Sequence, residues 1–166
     1  MKNKKYYFLG FFLIFVQVLF LNNILLFGYI NPYVYIAFVF FFPIRTNRLL
    51  FLLLSFFLGL FLDFFSDSGG IHAFSTLFIA FIRLFFIKTI FKKSEIDFPF
   101  FNLKEEPFGK FFNYVVILTI IHHFLLFLLE SFSFQNIFDI LLNTLYSSIF
   151  TLFLFFVGSF IFSKKK

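Results

Sequence analysis

The sequence predicts an all-α polytopic membrane protein, a compact bundle of six transmembrane helices, and three observations predict it. Of 166 residues, 61% are hydrophobic and 28% aromatic, against about 45–50% apolar in a soluble domain. A chain this size keeps much of its surface wet in water, so it has no soluble core large enough for 39 phenylalanines. The apolar residues fall in runs that approach the roughly 20 residues a helix needs to cross a bilayer. Threaded as six spans, the runs leave all fourteen Lys and Arg residues on or near one side, as cytoplasmic loops require. The phenylalanine excess itself reads as the composition of an AT-rich genome.

The spans follow in order. Residues 6–21 come after Lys2, Lys4 and Lys5, as the core of a signal peptide would. The run is too long for that, and Asn22-Asn23 offers no small-residue cleavage site, so the span is retained. Residues 32–44 open at Asn31-Pro32, since proline is tolerated at a helix start and not inside one. This second span is short; it is either extended by residues 25–30 or thinned against its neighbours. Residues 49–65, 71–90, 111–129 and 137–162 complete the set.

Both termini are then cytoplasmic. Arg45, Arg48, Lys88, Lys92, Lys93, Lys104, Lys110, Lys164, Lys165 and Lys166 join the N-terminal lysines inside, and no outer loop carries a basic residue. The positive balance therefore reports orientation and contact with anionic lipid, and no nucleic-acid partner is required. Residues 91–110 form a cytoplasmic loop that lies partly on the interface through Phe98, Phe100 and Phe101.

Ionisable groups are costly in lipid, so each polar residue in a span is a candidate site. Ser55, Gly59 and Asp63 recur every four residues on one face of the third span, which would let another helix approach closely. Gly69-Gly70 marks a tight outer turn. His72, Thr76, Ala80 and Arg83 fall near one face of the fourth span, Arg83 about three turns below His72. Arg83 is expected to snorkel toward the inner surface, with a buried ion pair as the alternative. His122 and His123 point about 100° apart on a helix and so chelate one ion poorly; interhelical hydrogen bonding is the expectation for the pair. Asp139, Asn143, Ser147 and Thr151 form a polar stripe on the sixth span, which must face protein or a wet crevice. Gly10 and Gln17 share a face of the first. A bundle with a polar-lined interior, open toward the outer leaflet, follows.

The chain has no cysteine, which excludes disulfides and thiolate metal sites. It also lacks a P-loop, a GxSxG and an HExxH, so neither catalysis nor a cofactor is expected.

Residues 22–36, "NNILLFGYINPYVYI", and 42–83, "FPIRTNRLLFLLLSFFLGLFLDFFSDSGGIHAFSTLFIAFIR", resemble the MreD family of rod shape-determining proteins, in the form found in Bacteroidetes. The Asn-Pro pair, Gly59 with Asp63, and Gly-Gly-x-His-Ala carry the resemblance together. The later part, with "HHF" at 122–124, "LLE" at 128–130 and the basic tail, is similar less specifically. The resemblance implies a non-enzymatic inner-membrane scaffold of the cell-wall elongation complex. Its implied partners are a MreC-like single-span protein, a RodA-type glycosyltransferase with its penicillin-binding transpeptidase, and the MreB filament. It also implies a fold similar to the substrate-binding subunits of vitamin transporters. Gly59, Asp63, Gly70, His72 and Arg83 lie in the resembling region, and structural or partner roles are expected of them; the same is expected of His123, Asn143 and Ser147 from their helix faces. Two other readings compete: a substrate-binding subunit of a small-molecule transporter, and a small membrane enzyme using Asp63 and His72.

Overall fold

The computed structural model describes residues 4–24, 30–44, 46–94, 97–98, 101–132 and 136–162. All regular elements among them are helical: α1 (Lys4–Leu19), a 3-10 turn (Leu21–Asn23), a 3-10 turn (Val34–Ile36) leading into α2 (Ala37–Phe41), α3 (Arg48–Ser66), α4 (Ile71–Phe91), a 3-10 turn (Leu103–Glu105), α5 (Phe108–Ser131) and α6 (Ile137–Phe162). Five of the helical segments are long and apolar enough to cross a membrane. Their outward faces are apolar too: Phe64, Phe132 and Phe160 are 82%, 86% and 83% exposed. A surface of this kind in water would be an aggregation patch, whereas lipid solvates it. The chain is a multi-pass helical membrane protein.

The helix ends have identifiable causes. Asn47 caps α3 by accepting from Leu49 N–H at 2.9 Å. Asp67, Lys92 and Phe132 stop α3, α4 and α5 in the left-handed conformation. Gly69 and Gly70 turn the chain from α3 into α4 at φ +66° and +98°, a conformation that favours glycine.

The expected second span is not a continuous helix. Residues 32–44 hold no membrane-length helix, only the 3-10 turn and a five-residue α2. Pro32 has no N–H to donate, and residues 30–33 are not helical. Whether residues 25–29 extend the segment lies outside the described residues. The stretch is nonetheless central: Tyr35, Ile36, Val39, Phe40 and Phe42 are at most 1% exposed.

The helix directions show what this stretch does. Asn22, just past α1, donates to Ser66 at the end of α3 at 2.9 Å, and Gly10 faces Phe38 and Leu58. So α1 and α3 run the same way. Residues 30–42 must carry the chain back from the end of the bundle with the 67–70 turn to the end where α3 starts, near Arg48, Lys88 and Lys110. We call these the turn end and the basic end. Eight helical and five extended residues reach at most about 30 Å, whereas thirteen residues of α-helix would reach about 20 Å. Breaking the helix lets a short segment cover the depth.

The 92–107 loop closes the basic end. Phe98 and Phe101 pack against the core and Leu103 is buried, so these side chains are turned into the bundle; Phe100 lies outside the described residues. Ser94 donates to Asp97 through its N–H and Oγ at 2.8 and 2.7 Å, which holds the Asp97 carboxyl below its usual range. Lys93 pairs with Glu106 at 3.2 Å, a surface ion pair of small energetic weight.

Candidate functional site: a polar spine and a cavity

The α3–α4 seam is built on Gly59 and Asp63, one turn apart on α3. A Cβ on Gly59 would lie 2.5 Å from the His72 carbonyl oxygen and 2.6 Å from the Ala73 Cα. Only glycine fits, and its absence of a side chain brings the start of α4 into contact with α3. That approach places the Asp63 carboxylate on the first turn of α4. It accepts from His72 N–H at 2.9 Å, Ala73 N–H at 2.8 Å and the Ser68 hydroxyl at 2.6 Å. Asp63 thus caps α4 from the neighbouring helix, satisfying two of the four N–H groups a helix start leaves open. The glycine at the cap position, Gly70, has no side chain to do so.

The broken segment leaves backbone groups unpaired, and in lipid each would cost several kcal/mol (order of magnitude). Side chains from three helices satisfy them. From α1, Gln17 donates to the Pro32 carbonyl at 2.9 Å and accepts from Val34 N–H at 3.0 Å. From α6, Thr151 accepts from Tyr33 N–H at 2.9 Å and Ser147 from Asn31 N–H at 3.3 Å. At the other end, Arg83 of α4 donates to the Phe40 carbonyl at 3.2 Å, to the Phe42 carbonyl, and through Nε to the Tyr114 hydroxyl at 3.1 Å. Its guanidinium lies over the Phe51 ring, 5.0 Å from the centroid.

Arg83 departs from both sequence expectations. At 3% exposure it does not snorkel, and its described partners are carbonyls, a hydroxyl and a ring rather than a carboxylate. The planar fork of arginine suits several fixed acceptors at once.

Between these caps runs a spine of buried aromatic and imidazole groups. The Tyr35 hydroxyl is 3.0 Å from His72 Nδ1 and 2.9 Å from His122 Nε2. One hydroxyl proton serves one imidazole, so the other must present N–H to the tyrosine oxygen. His123 lies 2.9 Å from the Thr119 carbonyl and 3.0 Å from the Thr151 hydroxyl. His123 therefore ties α5 to α6, the interhelical role expected of it. His122 turns to Tyr35 instead, so the adjacent histidines serve different partners; among the described residues no cluster of three metal-ligating side chains forms.

At the turn end a cavity of about 400 Å³ opens, lined among others by Tyr33, Asp67, Ser68, His72, Leu126 and Glu130. His72 is 5% exposed, and its ring stands edge-on to that of Tyr33 at 5.2 Å.

The structure brings Gly59, Asp63, Gly70 and His72 together at the α3–α4 turn, and Ser147 with His123 against the broken segment and its partners. Arg83 sits apart, at the far end of α2. The α6 stripe grades with depth: Asp139 is exposed, Asn143 half-buried, and Ser147 and Thr151 buried. Three tyrosines carry weight that the sequence did not mark: Tyr33, Tyr35 and Tyr114. The available signal was position, since Tyr33 and Tyr35 follow directly on Asn31-Pro32.

Comparison with protein-family models, curated proteins and solved structures returns no match to this chain.

Proposed function

We propose that the chain is a non-enzymatic scaffold of the bacterial cell-wall elongation complex. In this reading it sits in the inner membrane with both termini cytoplasmic and crosses six times, the broken segment being the second crossing. It works with a MreC-like single-span protein, a RodA-type glycosyltransferase and penicillin-binding transpeptidase, and the MreB filament on its cytoplasmic face. The observation that carries the reading is the resemblance of residues 22–36 and 42–83 to the MreD family. The residues behind that resemblance are the joints of the bundle: Asn31-Pro32 starts the broken segment, and Gly59, Asp63, Gly70 and His72 lock α3 to α4.

A scaffold needs rigid internal joints and outward faces free for partners. The oxygens of Asp63 are engaged by Ser68, His72 and Ala73, which favours a structural over a catalytic carboxylate. The Gly59 seam is filled by α4, so a partner's membrane helix docks on an outward apolar face. One such face on α6 carries exposed Leu141, Leu145, Ile149 and Phe153, a four-residue repeat suited to a crossing helix.

Depletion in a rod-shaped host tests the proposal: cells should round up, and a MreC-like protein should co-purify with the chain. Normal rods on depletion would count against it. The cavity supports a second reading, a substrate-binding subunit of a small-molecule transporter. That reading requires an energising partner on the basic face and a ligand retained in mild detergent.

A further inference from the structure

We propose that a cavity at the basic end binds a phosphate group, carried as the headgroup of an acidic membrane phospholipid. The cavity holds about 80 Å³ and is lined among others by Thr46, Arg48, Phe51, Arg83, Leu84 and Phe98. Pockets for whole small molecules take about 300 Å³ or more, whereas this one matches two or three waters at roughly 30 Å³ each. It admits one compact polar group. Two guanidinium groups and no carboxylate line it. The described acids of the nearby loop are turned to other partners: Asp97 accepts from Ser94, Glu105 accepts from Asn102, and Glu106 pairs with Lys93.

Arg83 supplies a second, independent observation. It is 3% exposed, and buried charges are paired as a rule, yet among the described residues no carboxylate pairs with it. Its Nε donates to the Tyr114 hydroxyl and its Nη2 to the Phe40 and Phe42 carbonyls, which uses three of the five guanidinium N–H groups. The two on Nη1 have no acceptor among the described residues. Nη1 is not one of the sealed polar atoms that lack a partner, so it reaches open space, and the space beside Arg83 is this cavity. A phosphate oxygen placed there accepts from Nη1 and neutralises the buried charge, a pairing that guanidinium geometry suits. Arg48 adds a second cation, with its guanidinium 5.2 Å from the Phe81 ring centroid. It is the first residue of α3, so the cavity lies where that helix enters the membrane, at the depth of the lipid headgroups. Leu49, Phe81 and Phe85, chain neighbours of lining residues, are exposed and offer acyl chains an apolar surface. That surface favours a lipid over a free anion. The inference rests on the membrane placement of the chain and holds whichever assembly the chain serves.

The test is native mass spectrometry of the full-length chain in detergent micelles holding equal amounts of phosphatidylglycerol and phosphatidylcholine. One phosphatidylglycerol per chain should be retained in preference to phosphatidylcholine. Arg48→Gln should bind it about fivefold more weakly, as the loss of one basic residue near a membrane surface predicts. Lys110→Gln, which removes an equal charge outside the cavity, should leave binding unchanged. Arg83→Met, where thermal unfolding shows it folded, should lose the preference; where it does not fold, the comparison of Arg48→Gln with Lys110→Gln decides. Equal retention of the two lipids would overturn the proposal. Equal weakening in Arg48→Gln and Lys110→Gln would also overturn it, leaving only diffuse attraction to the basic end. Displacement of the lipid by an equal concentration of sodium phosphate would overturn the assignment to a lipid headgroup. None of these results bears on the depletion phenotype, which tests the scaffold reading separately.

Discussion

Among the described residues, Asp63 and Arg83 are the most deeply placed carboxylate and guanidinium, at 5% and 3% exposure, and each is held by backbone groups as well as by hydroxyls. A carboxylate on a helix N-terminus and a guanidinium on C-terminal carbonyls both complement the local partial charges. Replacing Arg83 with Met removes the donor while leaving the Phe40 and Phe42 carbonyls buried. At about 1–3 kcal/mol per unsatisfied group, the expected loss is about 3 kcal/mol or more, measured as a lowered midpoint of denaturant unfolding in detergent. Arg83→Lys should recover only part of it, since an ammonium cannot match the fork. At Gly59, Leu should prevent close approach of α3 and α4 and abolish folded protein, whereas Asp67→Asn, at an exposed turn residue, should leave yield and melting temperature nearly unchanged. Gel filtration of the two variants decides this. The Gly59–Asp63 seam was legible in the sequence, because four-residue spacing places small and polar groups on one helix face. The partners of Arg83 were not, because they are carbonyls freed by a helix break forty residues upstream, and carbonyls have no sequence signature.

The broken segment explains why polar residues sit where they do on the other helices. Gln17, Ser147, Thr151 and Arg83 lie on three helices, and all serve the backbone of residues 31–42. Irregular backbone at membrane depth survives only when protein buries and satisfies it. Thr151→Val keeps the shape of the side chain and deletes the acceptor for Tyr33 N–H and the partner of His123. It should cost about 1–3 kcal/mol. The Thr144 hydroxyl bonds, among the described residues, to the Ile140 carbonyl of its own helix, so Thr144→Val should cost far less; thermal unfolding of both variants side by side provides the check. The α6 stripe was readable from its period, and the break from Asn31-Pro32. What the stripe faces was not readable: a polar stripe lines a pocket or satisfies a neighbouring chain with the same period. Here Ser147 and Thr151 do the second, while the cavity is lined by the 66–72 turn, Tyr33 and the end of α5. The role of Tyr35 stayed hidden because an aromatic-rich segment gives no sign of which hydroxyl is buried between two histidines.

At the scale of the whole molecule, outer surface, charge and chain direction agree. The helices present phenylalanine and leucine outward, the described basic residues gather toward one end, and the turn end carries Asp63, Asp67, Glu130 and Asp139 without a described basic neighbour. The six-run pattern survives only if residues 30–42, too short for an ordinary spanning helix, return the chain through the membrane. The natural absence of cysteine makes this directly measurable, since single cysteines can be added without removing any. Asn23→Cys and Thr46→Cys flank the broken segment, and Ser68→Cys and Ser94→Cys mark the two ends of the bundle. With a membrane-impermeant maleimide on intact cells stripped of their outer barrier, Asn23→Cys and Ser68→Cys should label at once. Thr46→Cys and Ser94→Cys should label only after the inner membrane is permeabilised. Labelling of positions 23 and 46 from the same side would mean that the segment between them never crosses, contradicting both the orientation and the role assigned to the break.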